Sequence, residues 1–151
     1  MPVNQPGALA LVGSGEYLPE AQLLEAELLR FGISRGKSNT YIQIPTAAGK
    51  EGEDRLDFWR QRGADQAARI GCEVKYLPVL TREDAHNAQW IEEIKSAGLI
   101  YFSGGDPAHL SEVFAGTPMW DAIVQAWREG ASLAGCSAGA MAFGGKIIGI
   151  R

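Results

Sequence analysis

Two periods of apolar residues alternate along this chain. Continuous runs at 8–12, 41–44, 99–102 and 131–134, and an alternating stretch at 73–77, have the length and pattern of strands. Between them apolar residues recur at helical spacing. Ala21, Leu24, Leu28 and Phe31 share one face after Pro19, and Leu56, Trp59, Ala67 and Ile70 share another within 53–70. Trp90, Ile91, Ile94 and Ala97 form a third stripe, Leu110, Val113 and Phe114 a fourth, and Ala122, Ile123, Ala126 and Trp127 a fifth. Gly32, Gly71 and Gly130 read as helix stops. Asp106-Pro107 and Thr117-Pro118 read as an N-cap followed by proline at the first helical position. Thr81, with Asp84 three residues on, reads as a cap for the third helix. Gly63 weakens the second helix by about 1 kcal/mol relative to alanine. Glu51, Glu53 and Asp54 read as its solvated acidic first turn, favoured by the helix dipole. The tryptophans lie on or near the stripes and read as core or rim anchors.

Strand and helix therefore alternate five times with short connections. That pattern predicts an α/β fold, a doubly wound, largely parallel sheet with helices on both faces, and residues 1–151 form one such domain. The loops after strands one, two, four and five then converge on one edge of the sheet, where open parallel sheets bind ligands.

Composition narrows the possible classes. The chain has 151 residues, 46% hydrophobic and 21% charged, with net charge -4, which is ordinary for a globular domain. No basic stripe suggests a nucleic-acid or anionic-membrane partner. Apolar runs are strand-sized, too short for a membrane span. Cys72 and Cys136 are too few for a disulfide framework and fit a reducing, cytoplasmic compartment. Nothing around His86 has metal-ligand spacing, so it reads as a surface histidine; neither metal nor cofactor is expected.

The chemistry concentrates at Gly135-Cys136-Ser137-Ala138-Gly139, between the last strand and the first turns of a helix. Gly-x-Ser-x-Gly in that setting is the nucleophile-elbow pattern. A nucleophile on so tight a turn leaves no room for side chains two positions away. Gly135 and Gly139 remove that collision. The turn also leaves the first helical N–H groups unpaired where an oxyanion would form. Cys136 is a rival nucleophile, but it sits where a side chain turns away from the tip and reads as a small buried filler. At the end of strand four, Ser103-Gly104-Gly105-Asp106 allows close backbone approach of a ligand. His109 borders the following stripe; one turn into a helix it packs or faces water rather than serving Ser137 as base. Gly13-Ser14-Gly15 after strand one suggests a dinucleotide loop, but the third glycine would fall at Leu18, and no ribose-binding acid follows. A nucleotide-binding, flavodoxin-like reading therefore ranks last.

Three segments together resemble the serine peptidases that include aspartyl dipeptidase (dipeptidase E) and cyanophycinase, which share the class I glutamine amidotransferase fold. They are Leu11-Val12-Gly13-Ser14-Gly15-Glu16, Tyr101-Phe102-Ser103-Gly104-Gly105-Asp106 and Ala134-Gly135-Cys136-Ser137-Ala138-Gly139-Ala140. The resemblance runs from about residue 8 to residue 143. It implies that Ser137 is the acylating nucleophile in hydrolysis of a peptide or isopeptide amide bond. It also implies an oxyanion hole from the N–H groups of Ala138 and Gly105. Gly104, Asp106, Gly15 and Glu16 are the candidate substrate contacts, with Lys50, Arg55 and Tyr17 within loop reach. The family's histidine base and its acidic partner lie downstream of the serine. Here fourteen residues follow Ser137, and the last of them, from Gly144 to Arg151, hold neither histidine nor carboxylate. The chain thus looks like the N-terminal two-thirds of such an enzyme. Either it is a fragment, or a second chain supplies the base and acid, or catalysis has been lost, and a homo-oligomer or a complementing chain would cover the exposed sheet edge. Pro107 replaces the glutamine that cyanophycinases tend to carry after Gly-Gly-Asp, which points away from a cyanophycin-like substrate. A non-catalytic binding or assembly module on the same scaffold is the alternative reading.

Overall fold

The computed structural model describes residues 5–144. The strands β1 (Leu9–Val12), β2 (Ser38–Ile44), β3 (Glu73–Tyr76), β4 (Ala97–Phe102) and β5 (Ser132–Cys136) pair in the order β1-β5-β4-β2-β3. Each pair is parallel. β4, Ala-Gly-Leu-Ile-Tyr-Phe, is buried along its whole length, which fits its central place. The helices are α1 (Gln22–Ser34), α2 (Glu53–Ile70), α3 (Ala88–Ser96), α4 (Pro107–Phe114), α5 (Pro118–Arg128) and α6 (Ala138–Met141). Single 3-10 turns occupy Pro19–Ala21, Thr46–Ala48 and Asp84–His86.

The core lies in two layers, one on each sheet face. Leu28 and Leu29 of α1 pack with Tyr17, Tyr41, Leu99 and Tyr101, and Trp59 and Ile70 of α2 flank them. Ile94 of α3, Leu110, Val113 and Phe114 of α4, Ile123 and Ala126 of α5 and Ala138 of α6 pack with Ile42, Ile100 and Phe102 on the other face. The crossovers from β1 and β2 thus lie on one face and those from β3 and β4 on the other, as right-handed connections in a sheet that reverses direction demand. Neighbouring strands β1 and β5 send their chains to opposite faces, so a crevice opens beyond their carboxyl ends. Register aligns those ends: Val12 stands beside Cys136, Gly135 beside Phe102, and Phe102 beside Ile44.

Several local expectations need correction. β2 begins at Ser38, three residues before the apolar run, because Ser38 pairs with Ala97 across a register shift. Helix α1 does not stop at Gly32. A Cβ there would lie 2.1 Å from the carbonyl oxygen of Gly98, so this glycine lets the helix rest on β4. The stop is Gly36, at φ +88°, with its N–H donating to the Ile33 carbonyl and that of Lys37 to Gly32. The buried side of α1 is Glu25, Leu28, Leu29 and Gly32, whereas Leu24 and Phe31 are exposed. Thr81 and Asp84 do exchange hydrogen bonds, but they close the 3-10 turn; Asn87 caps α3 by accepting from the Trp90 N–H. Asp106 and Thr117 cap α4 and α5 as the sequence suggests.

Candidate active site

The turn after β5 is built from contacts that only small residues permit. A Cβ on Gly135 would sit 2.4 Å from the Gly139 carbonyl oxygen, and one on Gly139 would sit 2.1 Å from that of Phe102. Backbone therefore packs directly on backbone, and α6 starts immediately behind the strand. Between the two glycines Ser137 takes φ 52°, ψ -113°, and its side chain is exposed. Positive φ on a serine costs on the order of 1–3 kcal/mol and persists only where the surroundings dictate it. The Ser137 N–H donates to the Val12 carbonyl at 2.8 Å, tying the bend to β1. The amide of Ala138 finds no acceptor among the described residues, as expected of the first residue of a helix.

The loop after β4 lies against this serine. A Cβ on Gly104 would be 3.3 Å from the Ser137 Cβ. Gly105 has φ +145°, and a side chain there would meet the Ala47 carbonyl at 2.2 Å, so glycine is required on both counts. The amides of this loop are taken one by one. Ser103 donates to the Ile44 carbonyl at 3.2 Å, Gly104 to Glu16 Oε1 at 3.2 Å, and Asp106 to the Ala47 carbonyl at 2.7 Å. Among the described residues the Gly105 N–H alone of the four has no acceptor.

The remaining candidates are placed as follows. Glu16 is 7% exposed; its other oxygen, Oε2, accepts from the Cys136 thiol, so the carboxylate is turned into the protein. Gly15 holds φ +90° in the preceding turn. Tyr17 is buried rather than within reach of solvent. It holds φ 60°, with its N–H on Glu25 and its carbonyl on Arg69. Asp106 Oδ1 accepts from the N–H groups of Ala108 and His109 at 2.9 and 3.1 Å, and Lys50 lies 4.0 Å from Oδ2. The His109 amide, the Ala108 amide and Lys50 hold the Asp106 carboxyl below its usual value. Arg55 pairs with Glu51 at 3.5 Å.

His109 Nε2 donates to the Leu80 carbonyl at 3.0 Å, and the exposed His86 donates from Nδ1 to the Arg82 carbonyl at 3.0 Å. Each ring thus uses one nitrogen on a loop carbonyl, and neither is hydrogen-bonded to Ser137. The Cys136 thiol is buried, and desolvation, with Glu16 adding to it, pushes its pKa up to about 12. A thiol so held is not a nucleophile at neutral pH. A cleft of about 640 Å³ lies between the Tyr17 loop and α2, lined by Phe58, Arg60 and Arg69 among others, and Ser137 is not part of its lining. Among the described residues no helix is long and apolar enough to cross a membrane, and no group of three or more His, Cys, Asp or Glu side chains is placed to hold a metal ion.

The fold is thus a parallel α/β sheet with Ser137 at positive φ on a strand-to-helix turn at its carboxyl edge. Peptidase family S51 matches residues 9–151, and the chain belongs to that family. Among solved structures it is similar to a peptidase from an acI-B1 Actinobacterium, with 54% identity and a TM-score of 0.91 over 92% of this chain and 57% of that one. It is also similar to a protein from Listeria monocytogenes EGD-e described as a peptidase E. The TM-score there is 0.66 at 23% identity, over 90% of this chain and 61% of that one, a likeness of fold. No curated protein matches. The chain therefore spans less than two thirds of the length of the solved structures it resembles.

Proposed function

We propose that this chain carries the nucleophile of a serine peptidase. The carrying observation is Ser137 itself, an exposed serine held at positive φ on a bend where backbone contacts require glycine two positions away on either side, at Gly135 and Gly139. A serine on a sharp, strained strand-to-helix turn fits the nucleophile-elbow pattern of acyl-transfer enzymes, which supports reading the sheet as class I glutamine amidotransferase-like.

In the proposed reaction Ser137 Oγ bonds to the carbonyl carbon of a peptide or isopeptide amide while its proton passes to a base. The carbonyl oxygen becomes an oxyanion that accepts from the N–H groups of Ala138 and Gly105. Collapse expels the amine, which takes the proton, and leaves an ester on Ser137; water then attacks the ester and releases the acid. Neither histidine is hydrogen-bonded to Ser137, His86 bonding to the Arg82 carbonyl and His109 to that of Leu80, which fits a base supplied from elsewhere. Among the described residues β1 pairs with β5 alone, and Leu9 and Leu11 are exposed, so its free side is where we place the rest of the enzyme's sheet. A cytoplasmic location fits the two free thiols.

The test is hydrolysis of a dipeptide panel by the complete gene product and by Ser137→Ala. We expect Ser137→Ala to lose at least about 10³-fold in kcat/KM, the scale of a missing nucleophile. Equal hydrolysis by both proteins would place the nucleophile elsewhere, and no hydrolysis by either would instead favour a binding or assembly module.

A further inference from the structure

Among the described residues Glu16 is the one acidic side chain hydrogen-bonded both to the loop after β4 and to the residue before Ser137. It is 7% exposed, and among the described residues it has no Lys, Arg or His partner. A buried carboxylate without a cation is costly unless donors satisfy it. Here they come from two different loops: the Gly104 N–H on Oε1 at 3.2 Å and the Cys136 thiol on Oε2. Cys136 precedes Ser137, and Gly104 precedes Gly105. One side chain from the β1 loop therefore bridges the residues just before the proposed nucleophile and just before a proposed oxyanion donor.

The loop that carries Glu16 is itself fixed. Tyr17 sits at φ 60°, with its N–H on Glu25 Oε1 at 3.2 Å and its carbonyl on Arg69 at 3.1 Å, and Gln66 holds the Leu18 carbonyl at 2.9 Å. Side chains of helices α1 and α2 thus help to set the position of this loop. Filling the Gly104 amide also removes it as an oxyanion donor, which leaves Gly105 as the free amide of its loop.

We propose that Glu16 is a positioning residue that fixes the spacing between the Ser137 bend and the Gly105 amide, without touching substrate. This rests on the acyl-transfer reading above. A substrate contact would need its carboxylate open to solvent, and the burial of Glu16 argues against that role.

The test uses the complete gene product and a fluorophosphonate probe, followed as the maximal rate of phosphonylation and the probe concentration at half that rate. Glu16→Gln keeps an acceptor for Gly104 and the length to reach Cys136. We expect its maximal rate to stay within about threefold of wild type. Glu16→Asp keeps the charge but loses one methylene of reach, so it cannot span both donors. It should slow the maximal rate about 10–100-fold, part of the effect of losing an oxyanion donor, with the half-saturating concentration changed by less than about threefold. The pH profile of labelling should keep its shape in both variants. Equal rates in wild type and Glu16→Asp would overturn the proposal. So would a loss in Glu16→Gln as large as that in Glu16→Asp together with a shifted pH limb, because that marks a titrating group. Should Glu16→Asp fail to fold, Cys136→Ala, which removes one end of the bridge, is expected to slow labelling about 3–10-fold, and an unchanged rate there would count against us. A wild-type product that never labels on Ser137 removes the acyl-transfer reading itself, a different outcome from labelling that is indifferent to Glu16.

Discussion

Ser137 is held in a conformation that serine avoids, and this has consequences for stability as well as chemistry. Ser137→Gly relieves positive φ at the cost of a more flexible unfolded chain, so the two effects partly oppose. Strain at this site is the larger, and Ser137→Gly should unfold at higher urea than Ser137→Ala, by about 0.5–1 kcal/mol. A midpoint at or below that of Ser137→Ala would mean the bend is unstrained. The neighbouring thiol should be inert. With its pKa pushed up to about 12 by burial and Glu16, Cys136 should resist iodoacetamide at pH 8 in the folded protein, as read by peptide mass spectrometry. The serine and its glycines were legible because the turn sterics are local. Glu16 was legible as a candidate substrate contact but not as a bridge between loops, because its partners lie 88 and 120 positions away and nothing in the chain's periodicity brings them together. Tyr17 was misread as a solvent-facing loop residue for the same reason: its burial comes from packing against Tyr41, Trp59 and Tyr101, on three other elements.

Among the elements, α6 and α4 carry the two donor loops, and both begin in a way the sequence announces. Asp106 caps α4 through two amides, so Asp106→Ala should cost about 1 kcal/mol, while Asp106→Asn, which still accepts, should cost less. The folded state lowers the Asp106 pKa. Its contribution is therefore present above the ordinary aspartate value of 3.8 and is lost as pH falls through the lowered one. The stability gap between wild type and Asp106→Asn should shrink over that acid range in urea titrations; a constant gap would contradict the capping account. Gly139→Ala places a Cβ 2.1 Å from a carbonyl oxygen of β4, and about 2–3 kcal/mol of destabilisation is expected by the same measurement. The apolar stripe of α1 was drawn about one position off. Its helix is rotated so that Gly32 meets Gly98, which carries Glu25 inward and leaves Leu24 and Phe31 outside. Periodicity alone favours the leucines, and the glycine contact that decides otherwise is a tertiary one.

Across the whole molecule, the alternation of strands and helices was sufficient for the fold class, because five apolar runs separated by amphipathic helices leave a parallel sheet as the economical solution. Strand order was not legible; it follows from where β4 and β5 insert between β1 and β2. The fully buried Glu25 gives the molecule a pH signature. Desolvation raises its pKa above the usual 4.5, although Gln66 and the Tyr17 amide oppose it. A raised folded pKa means that its stabilising contribution is fully present below about pH 4.5 and is lost as pH rises through the folded value. Wild type should therefore lose stability relative to Glu25→Gln as pH rises through that window, and parallel curves would show that Glu25 does not titrate on folding. The account as a whole depends on one acylated atom. Treating the complete gene product with a fluorophosphonate and locating the adduct by mass spectrometry tests it most directly. The expected result is a single adduct on Ser137, absent after heat unfolding; an intact Ser137, or an adduct elsewhere that persists in Ser137→Ala, would contradict it.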